Sequence, residues 1–469
     1  MFAAIFLFGA KDLVRILRGT GELATGLKVG LVSLGCPKNL VDSEVMLGQL
    51  QSEGFVITAR EEEADILIVN TCAFISPAVK ESLESILELA RLKKEGNCRV
   101  LLVAGCLVQR YGKSLAQELP EVDGFLGTGA VPFAAELVKR VLQGEKVLAT
   151  ENHPFYFSAS GFPRVLATPP HTAYVKIAEG CSHHCSFCTI PSIRGHFKSR
   201  PWEEIIKEAR LLAQNGVREI ILVAQDTARY GVDLYGRSWL GELLDRLEEV
   251  PELVWSRVLY CSPDSFSEEM IGVLARLKKW CRYLDMPIQH ASDEILRKMR
   301  RRKGKEEIKR LIFRLREEIP EIHLRTTFLV GFPGEEEKHF EELLRFMEEV
   351  SFERAGVFKY CPEEGTPAAG FSGQVPEKVK EERYRLAMTI QKEICRRLNR
   401  HKIGKKVTAL VEGKKNGMYF GRTEGDAPEV DGKIFFAAGR DLQPGDFVPV
   451  LVKKAGEYDL MGELADEHC

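Results

Sequence analysis

The sequence predicts an α/β protein in three parts: an open parallel α/β sheet, a partial (βα) barrel and a small antiparallel β-barrel. Three observations predict it. Short apolar runs alternate with amphipathic stretches over residues 28–150, and the same alternation resumes over 172–401. Residues 402–466 instead hold short apolar runs separated by turn residues. The 469 residues also exceed what one hydrophobic core ordinarily serves.

Each element follows from its local pattern. In the first part KVGLVSLG, ADILIVNT and RVLLVAG read as buried parallel strands, being short and almost continuously apolar. LVDSEVMLGQLQSEG and SPAVKESLESILELARLKKEG read as crossover helices. Ser76 is the expected N-cap of the second, Pro77 its first helical residue and Gly96 its stop. GFLGTGA, around Gly127, lacks phosphate-loop spacing and reads as a turn. Residues 151–171 (HPFYFSASGFP, ATPP) have no period and read as a linker. AYVKIAEG, REIILVAQD, LVWSRVLY, RYLDMPIQ, HLRTTFLVGFP and RAGVFKY then give six βα repeats, with chemistry expected at the C-terminal strand ends. VTALVEG, YFGRT, KIFFAAG and DFVPVLVKKAG complete the small barrel.

Composition narrows the function classes. With 45% hydrophobic and 29% charged residues the chain is globular, and a net charge of −2 provides no basic field for nucleic acid. Twelve cysteines are too few for a disulfide scaffold of this length. The long apolar run Met1–Ala10 is about half a bilayer span, and Lys11 and Arg15 follow it where a secretory signal has basic residues in front. Residues 1–27 are therefore expected to be a loosely packed N-terminal extension of a cytoplasmic protein with no membrane association.

The cysteines carry the chemistry. Cys181, Cys185 and Cys188 form a CxxxCxxC run directly after the first barrel strand. Three thiolates on one loop can face one metal centre with a fourth position open. Zinc would need a fourth ligand such as His183 or His184, whereas a 4Fe–4S cluster can keep one iron free. Spacing leaves both open and favours the cluster. A second set, Cys36, Cys72 and Cys106, lies just past the ends of the three first-part strands, where open α/β sheets place ligands. Neighbouring strands are ~5 Å apart, so these thiols can converge. Small buried cysteines are common at strand ends, but three at a like offset are hard to attribute to chance. Cys98, at a strand start, reads as structural.

The CxxxCxxC run after a first barrel strand resembles the radical S-adenosylmethionine (SAM) superfamily. Two cysteine trios followed by a β-barrel resemble its methylthiotransferases, over Lys28 to Leu464. The resemblance implies domains at 28–150 (first cluster), 172–401 (radical SAM) and 402–466 (TRAM). It implies two 4Fe–4S clusters, on Cys36, Cys72 and Cys106 and on Cys181, Cys185 and Cys188. The second would chelate SAM and cleave it to a 5′-deoxyadenosyl radical; the first would hold sulfur for methylation by a second SAM. SAM contacts are expected from Gln225 and Asp226, from Gln289 with His290, and from Gly331 of GFPGE. A low-potential donor such as flavodoxin or ferredoxin is implied.

SLGCPKNLVDSE, LVAQDTARYGVDLYG and DMPIQHAS resemble the ribosomal-protein branch, which adds a methylthio group to an aspartate β-carbon of small-subunit ribosomal protein twelve. The transfer-RNA branch is the nearest rival, and a zinc-stabilised, non-catalytic RNA-binding protein is a rival of another class. From Lys402 to Cys469 ten Lys/Arg face twelve Asp/Glu, a poor grip for transfer RNA. Glu424, Asp426, Glu429 and Asp431 are expected either as an acidic surface for a basic protein or as a solvated loop. Arg194 and Lys198, beside the barrel trio, either bind a carboxylate or sit on a solvated face. The basic run Met299–Lys305 reads as a solvated helix end, with phosphate or an acidic partner as the alternative. Cys261 and Cys361 follow barrel strands and are expected to be inert packing; Cys361 stands where the family often has serine, and Glu336 where it usually has threonine.

Overall fold

Five strands lie side by side in chain order, all parallel: β1 (Lys28–Ser33), β2 (Ile66–Thr71), β3 (Val100–Gly105), β4 (Gly124–Leu126) and β5 (Val147–Ala149). In this computed structural model the described residues are 26–151, 163–465 and a two-residue strand, Ile5–Phe6. The remainder of the expected extension and most of the expected linker lie outside them. Ile5–Phe6 and Val56–Ile57 pair with the outer edge of β1.

Alternation along the strands sends side chains to two faces. Leu31, Ile68 and Leu102 pack under α1 (Pro37–Ser52) and α4 (Ala134–Leu142). Val32, Val69 and Val103 pack under α2 (Ser76–Glu95) and α3 (Cys106–Glu118). Ser76 is already helical and is not the N-cap; Ile75 is. The free donors of the first turn are met from another domain: the Ser76 amide and hydroxyl donate to Glu363 Oε1 at 2.6 and 2.9 Å.

Six further strands, β6 (Thr172–Lys176), β7 (Glu219–Val223), β8 (Trp255–Val258), β9 (Trp280–Asp285), β10 (His323–Val330) and β11 (Arg354–Lys359), form an open parallel sheet in chain order. The barrel is thus partial. Its outer face (Val175, Ile220, Leu222, Leu324, Phe328) packs under the helices. Its inner face (Tyr174, Ile221, Val223, Trp255, Tyr283) meets Leu40 and Val41 of α1, and Leu410 and Ala427 of the C-terminal barrel. The other two parts therefore cover the concave face. That explains why every residue of α1 from Lys38 to Leu50 is buried.

Helix Glu377–Arg400 leads into β12 (Lys406–Lys415), β13 (Met418–Thr423), β14 (Ile434–Ala437), β15 (Phe447–Ala455) and β16 (Leu460–Leu464). These close in the order β12-β13-β14-β16-β15. The barrel is not antiparallel throughout: β14 and β16 run parallel. A closed ring with an odd number of strands cannot alternate direction all the way round, so one pair must be parallel.

Of the four acidic residues at 424–431, Glu429 is exposed and Glu424 half-buried, but Asp426 and Asp431 do not join the expected surface. Asp426 is 2% exposed and pairs with Arg354 at 2.7 Å, while Asp431 pairs with Arg325 at 2.6 Å and accepts from the Tyr283 hydroxyl at 2.8 Å. These carboxylates fasten the small barrel to arginines of the partial barrel.

Candidate active site

The first trio is assembled by strand register. Thr71 faces Gly105 across β2 and β3, so Cys72 and Cys106, the next residues, leave the sheet at one level. Leu34 N donates to Asn70 O at 2.8 Å and brings the β1 end alongside, where Cys36 is the N-cap of α1. Two turns there require glycine. Gly35 has φ +91°, and a Cβ on it would lie 2.8 Å from Cys72 Cβ; Gly105 has φ +93°, and a Cβ would lie 2.2 Å from Asn70 Oδ1.

Asn39 stitches the three loops together. It donates to Leu34 O at 3.0 Å and to Thr71 O at 2.8 Å, while its Oδ1 accepts from the Cys106 thiol at 3.6 Å. Burial, then the neighbouring Cys106 and Cys36, push the Cys72 thiol up to about 12, and burial also raises Cys106. Such thiols stay protonated near neutrality unless a bound cation takes the place of the proton.

The second trio occupies the loop after β6. Gly180 turns it with φ +72°, where a Cβ would lie 2.2 Å from His196 O. Ser186 N and Oγ anchor it to Met299 O (3.2 Å) and Lys298 O (2.7 Å). Burial is the main cause that pushes Cys181 up to about 11 and Cys188 to about 12, with neighbouring thiols of the trio adding to it. Among the described residues no three His, Cys, Asp or Glu side chains are placed to hold one metal ion. His183 makes no fourth ligand here; its Nε2 lies 2.7 Å from Asp226 Oδ2 and 3.2 Å from Ser265 Oγ.

A buried charged network separates the trios. Lys176 and Arg194 both pair with Asp42 of α1 and with Glu179, the latter at 2.7 and 3.1 Å. Gln225 Nε2 donates to Glu179 Oε1 at 2.7 Å, and its own Oε1 is buried with no hydrogen-bond partner. Asp226 is fully engaged: besides His183 it accepts from Ser265 Oγ (2.5 Å), Ser262 N (3.1 Å) and Ala228 N (3.2 Å). Gln289 holds a left-handed φ of +72° between its amide bond to Thr327 O and its carbonyl bond from Leu329 N. His290 is fully buried, with Nε2 3.6 Å from Glu335. Gly331 has φ +75°, and the atom that a Cβ there would meet is Lys380 Cγ, at 2.3 Å.

Sequence reasoning missed or under-read several residues here. Arg194 is the carboxylate binder of the two readings, with its side chain 3% exposed, while Lys198 is exposed. Arg301, inside the basic run, is no solvated helix end: it pairs with Asp264 at 3.1 Å and reaches Cys185 Sγ at 4.0 Å. Lys38 is 8% exposed and lies 3.4 Å over the Tyr260 ring. Cys98 and Cys261 are buried, as expected of packing residues. Only their positions inside the CPKN and CSHHCSFC segments hinted at Asn39 and His183.

Comparison with known proteins bears on this arrangement. Residues 28–127 match Uncharacterized protein family UPF0004, residues 175–347 the Radical SAM superfamily, and residues 403–465 the TRAM domain. Ribosomal protein uS12 methylthiotransferase RimO of Pelotomaculum thermopropionicum is 57% identical over 93% of this chain and 99% of its own length. The chain belongs to the RimO family. RimO of Desulforamulus reducens is 52% identical (93% of this chain, 99% of that protein), and RimO of Clostridioides difficile is 45% identical (94% and 99%). A solved structure of the radical SAM methyltransferase TsrM from Kitasatospora setae shares the fold, with TM-score 0.53 and 16% identity over 84% of this chain and 80% of that one. Membership of this family and the Radical SAM superfamily match imply a 4Fe–4S cluster and SAM as cofactors.

Proposed function

We propose that the protein is a radical SAM methylthiotransferase that adds a methylthio group to the β-carbon of an aspartate in ribosomal protein uS12. The resident groups are two 4Fe–4S clusters, one held by Cys36, Cys72 and Cys106 and one by Cys181, Cys185 and Cys188. When bound, the clusters supply the one-electron cleavage of SAM and an open iron for sulfur, chemistry that an unactivated carbon needs and that acid–base groups cannot provide. The observation that supports this reading is the contact between the two domains beside the cysteines: Arg194, six residues after Cys188, reaches Cys106 Sγ at 3.4 Å, and Thr189, next to Cys188, donates to Phe74 O at 3.3 Å.

The chain's own residues position and exclude. Gln225, with its unpartnered Oε1 beside Glu179, is the strongest SAM contact of the set; Gln289 and Gly331 line the neighbouring strand ends. Asp226 serves SAM indirectly, by holding His183 and hence the cysteine loop. Leu40, Val41, Leu410 and Ala427 close the concave face against water. The functional domains are 28–150, 172–401 and 402–466, the electron donor is a low-potential carrier such as flavodoxin or ferredoxin, and the compartment is the cytoplasm. Among the described residues no helix is long and apolar enough to cross a membrane.

The test is anaerobic. Reconstituted protein should carry about eight irons per chain and, with SAM and reductant, add ~46 Da to ribosomal protein uS12 and nothing to bulk transfer RNA. About four irons would remove the first-trio cluster. A mass gain on RNA would reassign the substrate.

A further inference from the structure

Arg194 is the last residue of the short helix Ile190–Arg194, six positions after Cys188, yet its guanidinium leaves its own domain. Its two terminal nitrogens have different tasks. Nη1 is neutralised by Asp42 at 2.8 Å and Glu179 at 3.1 Å. Nη2 faces the first trio, donating to Asn39 Oδ1 and to Cys106 Sγ, the latter at 3.4 Å. Asn39 in turn accepts from Cys106 and holds the Cys36 and Cys72 loops. Lys176, fully buried, binds the same two carboxylates, so the two cations balance the two anions before any thiolate is counted. A guanidinium is always charged and presents a planar fork, so this N–H···S contact is fixed in direction and sign.

We propose that Arg194 is a positioning residue for the centre on Cys36, Cys72 and Cys106, and that its N–H···S bond to Cys106, delivered from the neighbouring domain, raises that centre's reduction potential. The inference rests on the two-cluster reading above. Hydrogen bonds to a cluster's sulfurs and nearby positive charge stabilise the reduced, more negative state, and the effect is larger where water is excluded. Here the donor is charged, the arginine side chain is 3% exposed and Cys106 is 7% exposed. The donor also comes from the radical SAM cysteine loop, so the potential of one centre depends on the packing of the loop that holds the other.

The experiment uses the full chain with Cys181, Cys185 and Cys188 all changed to alanine, so that only the first trio can load. Iron is counted, and the midpoint potential is followed by electron paramagnetic resonance during a reductive titration. In that background Arg194→Gln should shift the midpoint to a more negative potential at unchanged iron content, and Arg194→Lys, which keeps charge but loses the fork, should fall between. A midpoint in Arg194→Gln equal to its parent's, with iron fully loaded, overturns the proposal. Should Arg194→Gln fail to load, Arg194→Lys decides: a negative shift supports the proposal and an unchanged midpoint overturns it. A parent that binds no iron refutes the two-cluster reading itself, a separate outcome from either.

Discussion

Removing one carboxylate should loosen the C-terminal barrel from the rest of the protein. Glu219, at the start of β7, is fully buried and takes two arginines of the interface, Arg257 and Arg422. Its Oε1 accepts from Arg257 Nε at 3.0 Å and Arg422 Nη1 at 3.2 Å, while Oε2 accepts from Arg422 Nη2 and from Thr172 Oγ1 at 3.3 Å. Although burial opposes ionisation, Arg422 and then Arg257 win and hold the carboxyl at about 2, against an ordinary 4.5. At ~1.4 kcal/mol per pH unit that difference corresponds to ~3 kcal/mol. The loss of one partner from a buried ion pair gives a similar ~3–5 kcal/mol. Glu219→Gln should therefore destabilise the protein by ~3 kcal/mol at neutral pH, read as a lower thermal midpoint and faster trypsin cleavage around Lys402–Lys406.

The pH dependence has a definite sign. A depressed carboxyl contributes stability that is complete above its unfolded value, near 4.5, and is lost as pH falls toward about 2. The gap between parent and Glu219→Gln should thus be full at about pH 7 and narrow as the pH is taken toward about 3. Replacing the three together (Glu219→Leu, Arg257→Met, Arg422→Met) should recover much of the loss, because Glu412, the other carboxylate on Arg422, keeps Lys433 at 3.4 Å. A Glu219→Gln protein within ~1 kcal/mol of its parent, or a gap that widens in acid, would refute the reasoning.

Two further substitutions test the site. Gly105→Ala puts a Cβ 2.2 Å from Asn70 Oδ1 at a φ of +93°, so a strain of ~1–3 kcal/mol and a displaced Cys106 should lower iron loading on the first trio while the second loads normally; equal loss at both trios would instead point to misfolding. Lys38 lies over the Tyr260 ring two residues from Cys36 and has no carboxylate within ion-pair distance among the described residues, so a carboxylate of the substrate is the partner expected for it. Lys38→Met should raise KM for a uS12 peptide about tenfold or more, the worth of a buried charge-assisted hydrogen bond, and leave substrate-free 5′-deoxyadenosine formation unchanged. An unchanged KM would remove Lys38 from substrate binding.

Features that are local or periodic were legible along the chain. Period-two and continuous apolar runs marked β1 to β3 and the six strands of the partial barrel, and the offset of Cys36, Cys72 and Cys106 from their strands put three thiols at one sheet edge, because parallel register is set strand by strand. The CxxxCxxC loop was legible for the same reason: its three thiols sit within eight residues. The destinations of the charges emerged only on folding, since a carboxylate or guanidinium reads alike on a surface and in a buried pair. Asp426 and Asp431 became domain fasteners, Glu363 became the cap of a helix 287 residues away in sequence, and Arg194 turned from its own loop to the neighbouring trio. The parallel strand pair of the small barrel was likewise settled only by ring closure. Each of these contacts joins residues far apart along the chain, and a charge's partner depends on which surfaces meet once the apolar faces have been buried.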